Sequence, residues 1–227
     1  MPRVHLLRVF CGDGDSRGNP LAVFLEGESV PADARQRVAG ELGLSETVFV
    51  DDAARGEIRI FTPAVELDFA GHPAVGTAWL LAEHGSPVSL LRVPAGEAAV
   101  RYEDGAAFVA GRAAWGPRWE FEQLDSPSGV DELGGPPGGH DLAVGWAWLD
   151  EASGIVRARV FPMGVGIAED EATGSAAVGL CARMGRPLDI RQGRGSRILA
   201  RPLADGWVEI GGRCVLDSVD ERPVNHS

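Results

Sequence analysis

The stretch Gly71-His72-Pro73-Ala74-Val75-Gly76 returns, altered, as Gly174-Ser175-Ala176-Ala177-Val178-Gly179. Gly71, Ala74, Val75 and Gly76 each recur 103 positions later. Upstream of each copy is a strand-like run ending in phenylalanine, Ile58-Arg59-Ile60-Phe61 and Ala158-Arg159-Val160-Phe161. Downstream of each is an apolar helical stretch closed by glycine, at Gly85 and Gly185. A chain that repeats one strand–turn–helix unit in each half is expected to fold as two similar lobes. Each unit opens its helix with glycine and small residues, which suits close approach by an anion to helix amides. The expected binding site is therefore a cleft between the lobes.

The residues outward from the repeat are consistent with that plan. Pro73 to Ala82 is almost wholly apolar, and a helix apolar on every side is expected to be buried on every side. Ser175 to Met184 is its counterpart. Ala34, Val38, Ala39 and Leu42 have helical spacing, and Gly43 ends that helix. Strands are expected at 4–10, 21–25, 47–50, 58–61, 88–93 and 98–102 in the first half. In the second they are expected at 106–110, 119–124, 142–149, 156–161, 198–200 and 207–210, with a short helix over 127–133. Residues 134–139 are too rich in glycine and proline to be anything but a loop. The polar tail from Asp217 is expected to fray. The fold class is thus α+β, with lobes at 1–105 and 106–227, each a curled sheet or barrel around a buried helix. The C-terminal tail is allowed to pack back on the first lobe.

Composition narrows the function. With 227 residues, 44% of them hydrophobic, the chain is ordinary for a soluble globular protein. No apolar run approaches the roughly 18–20 residues that span a bilayer, and Met1-Pro2-Arg3-Val4-His5 does not begin a signal peptide. Cys11, Cys181 and Cys214 form neither a metal-like pair nor a disulfide framework, which points to a reducing cytoplasm. A net charge of −12 argues against nucleic acid as a partner. All 21 basic residues are arginine, a mark of codon bias that also excludes Schiff-base chemistry through a lysine side chain.

Three constellations could carry chemistry. In Leu44-Ser45-Glu46-Thr47-Val48-Phe49-Val50, Glu46 stands at the entry to an apolar strand, whereas an arbitrary glutamate is usually a solvated one. A carboxylate beside apolar walls has its pKa raised and becomes a general acid or base near neutrality. In Phe69-Ala70-Gly71-His72-Pro73, Gly71 and His72 offer amides at a helix mouth and an imidazole beside them; the plain alternative is a capping or packing histidine. In Glu169-Asp170-Glu171-Ala172-Thr173-Gly174-Ser175, three carboxylates suit a helix dipole, but Gly174 and Ser175 hold the repeat positions of Gly71 and His72. Other motifs fail. Asp13 to Gly18 starts like a calcium loop, but Arg17 occupies a ligand position. No glycine spacing fits a dinucleotide site, no histidine pair fits zinc, and neither Ser45 nor Ser175 sits on a hydrolase elbow. Arg112, Trp115, Trp119, Trp146 and Trp148 read as sheet packing.

These segments resemble the PhzF-like (phenazine biosynthesis) family, related in fold to diaminopimelate epimerase. The resemblance rests on Gly18 to Phe24, Leu44 to Val50, Ile58 to Pro63, Gly71-His72-Pro73 and Glu169 to Ser175, in that order along nearly the whole chain. It implies a cofactor-independent, metal-free isomerase, a homodimer in the cytoplasm, acting on a small carboxylic acid. The position of Glu46 implies the acid/base that shuttles a proton between carbons. His72 and Asp170 are implied as its catalytic companions, with Ser45, Gly71, Gly174 and Ser175 binding substrate. The related racemases use a cysteine pair, which the repeat positions here lack. Two alternatives stay open: a two-base epimerase using Glu46 with Asp170 or His72, and a non-catalytic binder of small acids. The chain is compact between Trp119 and Leu149, where loops would shape a pocket or a dimer contact.

Overall fold

A computed structural model describes residues 1–222. The chain forms two compact units. The first holds Met1–Val9, Pro20–Val109 and the segment from Cys214; the second holds Phe10–Asn19 and Ala110–Arg213. The observed crossing lies at Val109/Ala110 rather than 105/106, Phe10–Asn19 goes with the second unit, and the segment from Cys214 goes with the first, where the tail is allowed to pack. The chain passes between units inside strands, where composition gives no linker to read.

In the first unit the elements are β1 (Arg3–Cys11), β2 (Asn19–Phe24), α1 (Arg35–Leu42), β3 (Glu46–Asp52), β4 (Glu57–Phe61) and β5 (Glu66–Leu67). They continue with α2 (Gly71–Glu83), β6 (Leu90–Val93), β7 (Gly96–Glu103) and β8 (Ala106–Arg112), which runs on into the second unit. In the second unit follow β9 (Glu120–Gln123), α3 (Pro127–Asp131), β10 (Ala143–Asp150), β11 (Ile155–Phe161) and α4 (Gly174–Met184). The last elements are β12 (Leu188–Gln192), β13 (Ser196–Pro202) and β14 (Trp207–Glu221), whose end returns to the first unit.

The first unit is a closed ring of eight strands, ordered β1-β2-β3-β4-β6-β7-β8-β14, with β14 pairing back to β1. Closure removes free strand edges. Helix α2 is enclosed by it. Residues 71–78, Leu80 and Leu81 are buried, as an all-apolar helix requires. Fully burying Val75, Leu80 and Leu81 contributes on the order of 2 kcal/mol each. Gly76 lets the helix approach the wall: a Cβ there would lie 2.5 Å from Leu21 Cδ2 and 2.6 Å from Val9 Cγ2. Alternate residues of the same strands point outward. Ala22, Phe24, Phe49 and Phe61 make a second core with Val38 and Ala39 of α1, with Phe24 stacked on Phe49 at 5.0 Å.

The second unit holds the run β14-β13-β12-β11-β10-β9 of the continuous sheet, with the ends of β1 and β8. Helix α4 buries Gly174, Ala176, Ala177, Val178, Leu180 and Cys181, while Ala182 and Arg183 are exposed in its last turn. Trp119, Val144, Val160 and Ala176 pack together beside it. The repeat is visible in detail. Gly85 (φ 75) and Gly185 (φ 64) both take the left-handed conformation after their helices. Arg59 pairs with Glu66, and Arg159 with Glu169 at 2.7 Å.

Most expected elements are present within a few residues. Strand β12 has no counterpart among the expected elements, because Asp189 and Arg191 interrupt its apolar run. Its alternation is nevertheless strict, with Leu188, Ile190 and Gln192 buried. The tail does not fray at Asp217. Strand β14 continues to Glu221, and the Asp217 carboxylate accepts from Arg8 at 2.9 Å. The last part of the expected tail lies outside the described residues. Among the described residues no helix is long and apolar enough to cross a membrane.

Candidate active site

The first group of candidate residues lies at the mouth of α2. Strands β2 and β3 run parallel, with Leu21 opposite Glu46. Their starting ends therefore present the Pro20 carbonyl and the Glu46 carboxylate side by side. One imidazole meets both: His72 Nε2 lies 3.3 Å from Pro20 O, and Nδ1 lies 3.3 Å from Glu46 Oε2. A carbonyl only accepts, so Nε2 carries the proton of this hydrogen bond. In the neutral ring Nδ1 then presents a lone pair to Glu46. A proton between Nδ1 and Oε2 belongs either to a carboxylic acid facing imidazole or to an imidazolium facing a carboxylate.

Burial decides much of this. Only 17% of the Glu46 side chain and 4% of the His72 side chain are exposed. Desolvation pushes the Glu46 carboxyl up to about 7, partly opposed by a hydrogen bond from Ser45. Glu46 Oε2 is buried and makes no hydrogen bond to the protein; the contact with Nδ1 is close enough for ion pairing but not aligned as a hydrogen bond. Such an atom is costly to leave unsatisfied, and a reacting group could use it. Gly71 is the first residue of α2, and Ala70 before it supplies no side-chain cap. The first-turn amides are thus not spent on a cap.

The second group lies at the mouth of α4, in the other unit. Asp170 is engaged on both carboxylate oxygens. Asn19 Nδ2 donates to Oδ1 at 2.9 Å, and Thr173 Oγ1 donates to Oδ2 at 2.5 Å. Asn19 also donates to Ala172 O at 2.8 Å. The buried Gln192 side chain donates to Asp170 O at 2.9 Å and accepts from Thr173 N at 3.1 Å. The flanking acids are held too: Glu169 by Arg159, and Glu171 by Ser196 Oγ and Arg194 N at 3.0 Å each. The three carboxylates are therefore clasps on one turn rather than a loose acidic run. Thr173 occupies the cap position of α4, but its hydroxyl goes to Asp170 and makes no cap. Gly174 and Ser175 follow with their amides uncapped by any side chain.

The structure brings Glu46, Ser45, His72 and Gly71 together in the first unit, and Asp170, Gly174 and Ser175 together in the second. Sequence reasoning assigned no role to Asn19, Thr173, Gln192 or the Pro20 carbonyl. Asn19 stands in the recognisable Gly18-Asn19-Pro20 motif, but a backbone carbonyl and a remote glutamine leave no local signal. Trp119 packs in the sheet as expected, and its indole N–H also donates to Ser175 Oγ at 3.2 Å.

Known proteins share this framework. The profile of the family described as phenazine biosynthesis-like protein matches residues 9–109. The chain is 32% identical over 223 residues to trans-2,3-dihydro-3-hydroxyanthranilate isomerase of Pseudomonas fluorescens, covering 78% of this chain and 80% of that one. The enzyme of the same name from Pseudomonas aeruginosa is 32% identical over 228 residues, covering 81% and 80%. Among solved structures, a phenazine biosynthesis PhzC/PhzF protein from Clostridium difficile matches 99% of this chain and 100% of its own with a TM-score of 0.80, at 20% identity. A predicted epimerase from Pseudomonas aeruginosa matches 98% of this chain and 99% of its own with a TM-score of 0.71, at 25% identity. The chain belongs to the phenazine biosynthesis-like (PhzF-like) family and is an isomerase of that family.

Proposed function

We propose that this isomerase moves a proton between two carbons of a small carboxylic acid, without a cofactor, and that Glu46 carries the proton. The observation behind this reading is the buried Glu46 carboxyl, pushed up to about 7, with one oxygen outside any hydrogen bond and His72 beside it. Near neutrality such a group gives up and takes back a proton at little cost. In the forward step the ionised carboxylate removes a proton from carbon, and the electron pair delocalises into adjacent unsaturation. In the second step the acid form returns that proton to another carbon, so no atom is gained or lost. His72, locked by the Pro20 carbonyl, steadies the proton on Glu46. Glu46 and His72 stand side by side 3.3 Å apart, which favours one shuttle over two opposed bases.

In the same proposal Ser45, Gly71, Gly174 and Ser175 bind the substrate, and donors at the helix mouths stabilise charge as it develops. Asp170 holds the turn in front of α4. The relatives named above suggest trans-2,3-dihydro-3-hydroxyanthranilate as the probe acid. Incubated with it in D₂O, the parent protein is expected to convert the acid, with carbon-bound hydrogen followed by NMR. Glu46→Gln should lose conversion and exchange by at least two orders of magnitude. A Glu46→Gln protein as fast as the parent removes Glu46 from the role. The reading also includes a homodimer in the cytoplasm, and a single-chain mass in sedimentation at micromolar concentration would contradict the dimer.

A further inference from the structure

We infer that Trp119 is a positioning residue, whose indole N–H fixes the Ser175 hydroxyl as a hydrogen-bond donor at the mouth of α4. The inference rests on the proposed role of Ser175 in binding the substrate acid. An indole N–H can only donate, so Ser175 Oγ is the acceptor in their 3.2 Å contact. The hydroxyl proton must then point elsewhere. Among the described residues, the contact from Trp119 is the hydrogen bond that the Ser175 side chain makes. Its proton is available to an acceptor that is not part of the fold, and a carboxylate oxygen is the acceptor a small acid supplies.

The indole is held firmly enough to impose this direction. Trp119 is 8% exposed and packs against Val144, Val160 and Ala176, with Phe121 and Leu142 at the edge. Glu120 N donates to Leu142 O at 2.9 Å, which ties the next residue to the sheet. Three residues earlier the same segment passes close to the helix: a Cβ on Gly116 would stand 2.9 Å from Ser175 Cβ. The segment 116–119 thus braces Ser175 from two points, one steric and one polar.

The repeat gives this arrangement its meaning. His72 and Ser175 are the second residues of α2 and α4. The Pro20 carbonyl takes the His72 Nε2 proton and leaves Nδ1 as an acceptor in the neutral ring. The Trp119 indole fills a Ser175 lone pair and leaves the hydroxyl as a donor. One copy of the helix opening is therefore set to receive a proton, and the other to hold an acceptor. The Ser175 hydroxyl can thus donate to an anionic oxygen of the substrate acid.

The test uses the full chain and Trp119→Phe, which keeps an aromatic ring but removes the N–H. With the probe acid in D₂O, KM should rise about 3- to 10-fold and kcat should change less than 2-fold. Ser175→Ala should raise KM as well. Trp119→Phe added to Ser175→Ala should then have no further effect, because the pair acts as one unit. A Trp119→Phe protein with parental KM, or effects that multiply in the double variant, overturns the inference. A second measurement needs no substrate. The protein has six tryptophans, and the indole N–H resonance of Trp119, assigned by its loss in Trp119→Phe or by through-bond connectivity, should move in Ser175→Ala. An unmoved resonance overturns the pairing by itself. A parent protein that neither binds nor converts the probe acid counts against the proposed function, while the indole signal still reads the pairing.

Discussion

Replacing Glu46 by glutamine should stabilise the protein at alkaline pH while removing its proton carrier. Burial raises the Glu46 carboxyl from 4.5 to about 7 in the folded chain. Between those values the folded state binds more protons than the unfolded state, so stability falls as pH rises through the window. The contribution is fully present below about 4.5 and gone above about 7. At about 1.4 kcal/mol per tenfold change in proton affinity, the whole window corresponds to about 3 kcal/mol. Glutamine has nearly the same shape and no charge, so it escapes that loss. The assay is urea unfolding of the parent and of Glu46→Gln at pH 5 and pH 8.5. Titrating groups away from the Glu46–His72 contact are common to both proteins and cancel in the difference. The parent should lose about 2.5 kcal/mol more than the variant between the two pH values. By thermal melting at pH 8.5, the variant should stand on the order of 5–10 °C higher. Parallel loss of stability in the two proteins would refute the argument that Glu46 is held neutral by burial. A variant spared the loss would show stability and catalysis opposed at one buried side chain.

Other outcomes follow from the same geometry. The kcat/KM of the proton transfer should rise with pH through about 7 and level off above it, since the base form of Glu46 is the ionised one; a flat profile between pH 5.5 and 8.5 would contradict this. Gly76→Ala should cost about 1–3 kcal/mol, read from the urea midpoint, because Leu21 and Val9 are fully buried and have no room to retreat. Gln192→Ala should cost about 2–4 kcal/mol and speed hydrogen exchange at the Thr173 amide, since it strips partners from Thr173 N and Asp170 O. An unchanged Thr173 exchange rate would show that Gln192 does not hold the turn.

Much of this molecule can be read from its residues, and the reasons are specific. The run Ala74 to Leu81 has no polar face, so enclosure by a sheet was the available solution. Gly43, Gly85 and Gly185 end helices because each takes a left-handed conformation there. Glu46 stood out because its neighbours Val48, Phe49 and Val50 are core residues. What escaped was carried by the backbone or by distant partners. The atom that sets the His72 ring is a carbonyl, which every residue has. The clasp on Asp170 joins Asn19, Thr173 and Gln192, separated by up to 173 positions in the chain. Charged Asp189 and Arg191 hid β12, although their alternate neighbours are buried. The division of the chain between units was hidden for a related reason, since it falls within strands that look continuous.

The eight-stranded ring of the first unit has a consequence for how the chain is made. Its first strand pairs with its last, β14, whose residues from Cys214 belong to that unit. During synthesis β1 to β8 leave the ribosome well before the strand that joins β8 back to β1. The second unit needs nothing beyond Arg213. The unit begun first is therefore the one finished last. Until then α2, with its almost wholly apolar middle, lies in an open sheet that exposes two edges. A pairing of such sequence separation is slow to form and prone to aggregation. The nascent chain is most vulnerable just before β14 emerges, and a chaperone would be needed there more than at any earlier length.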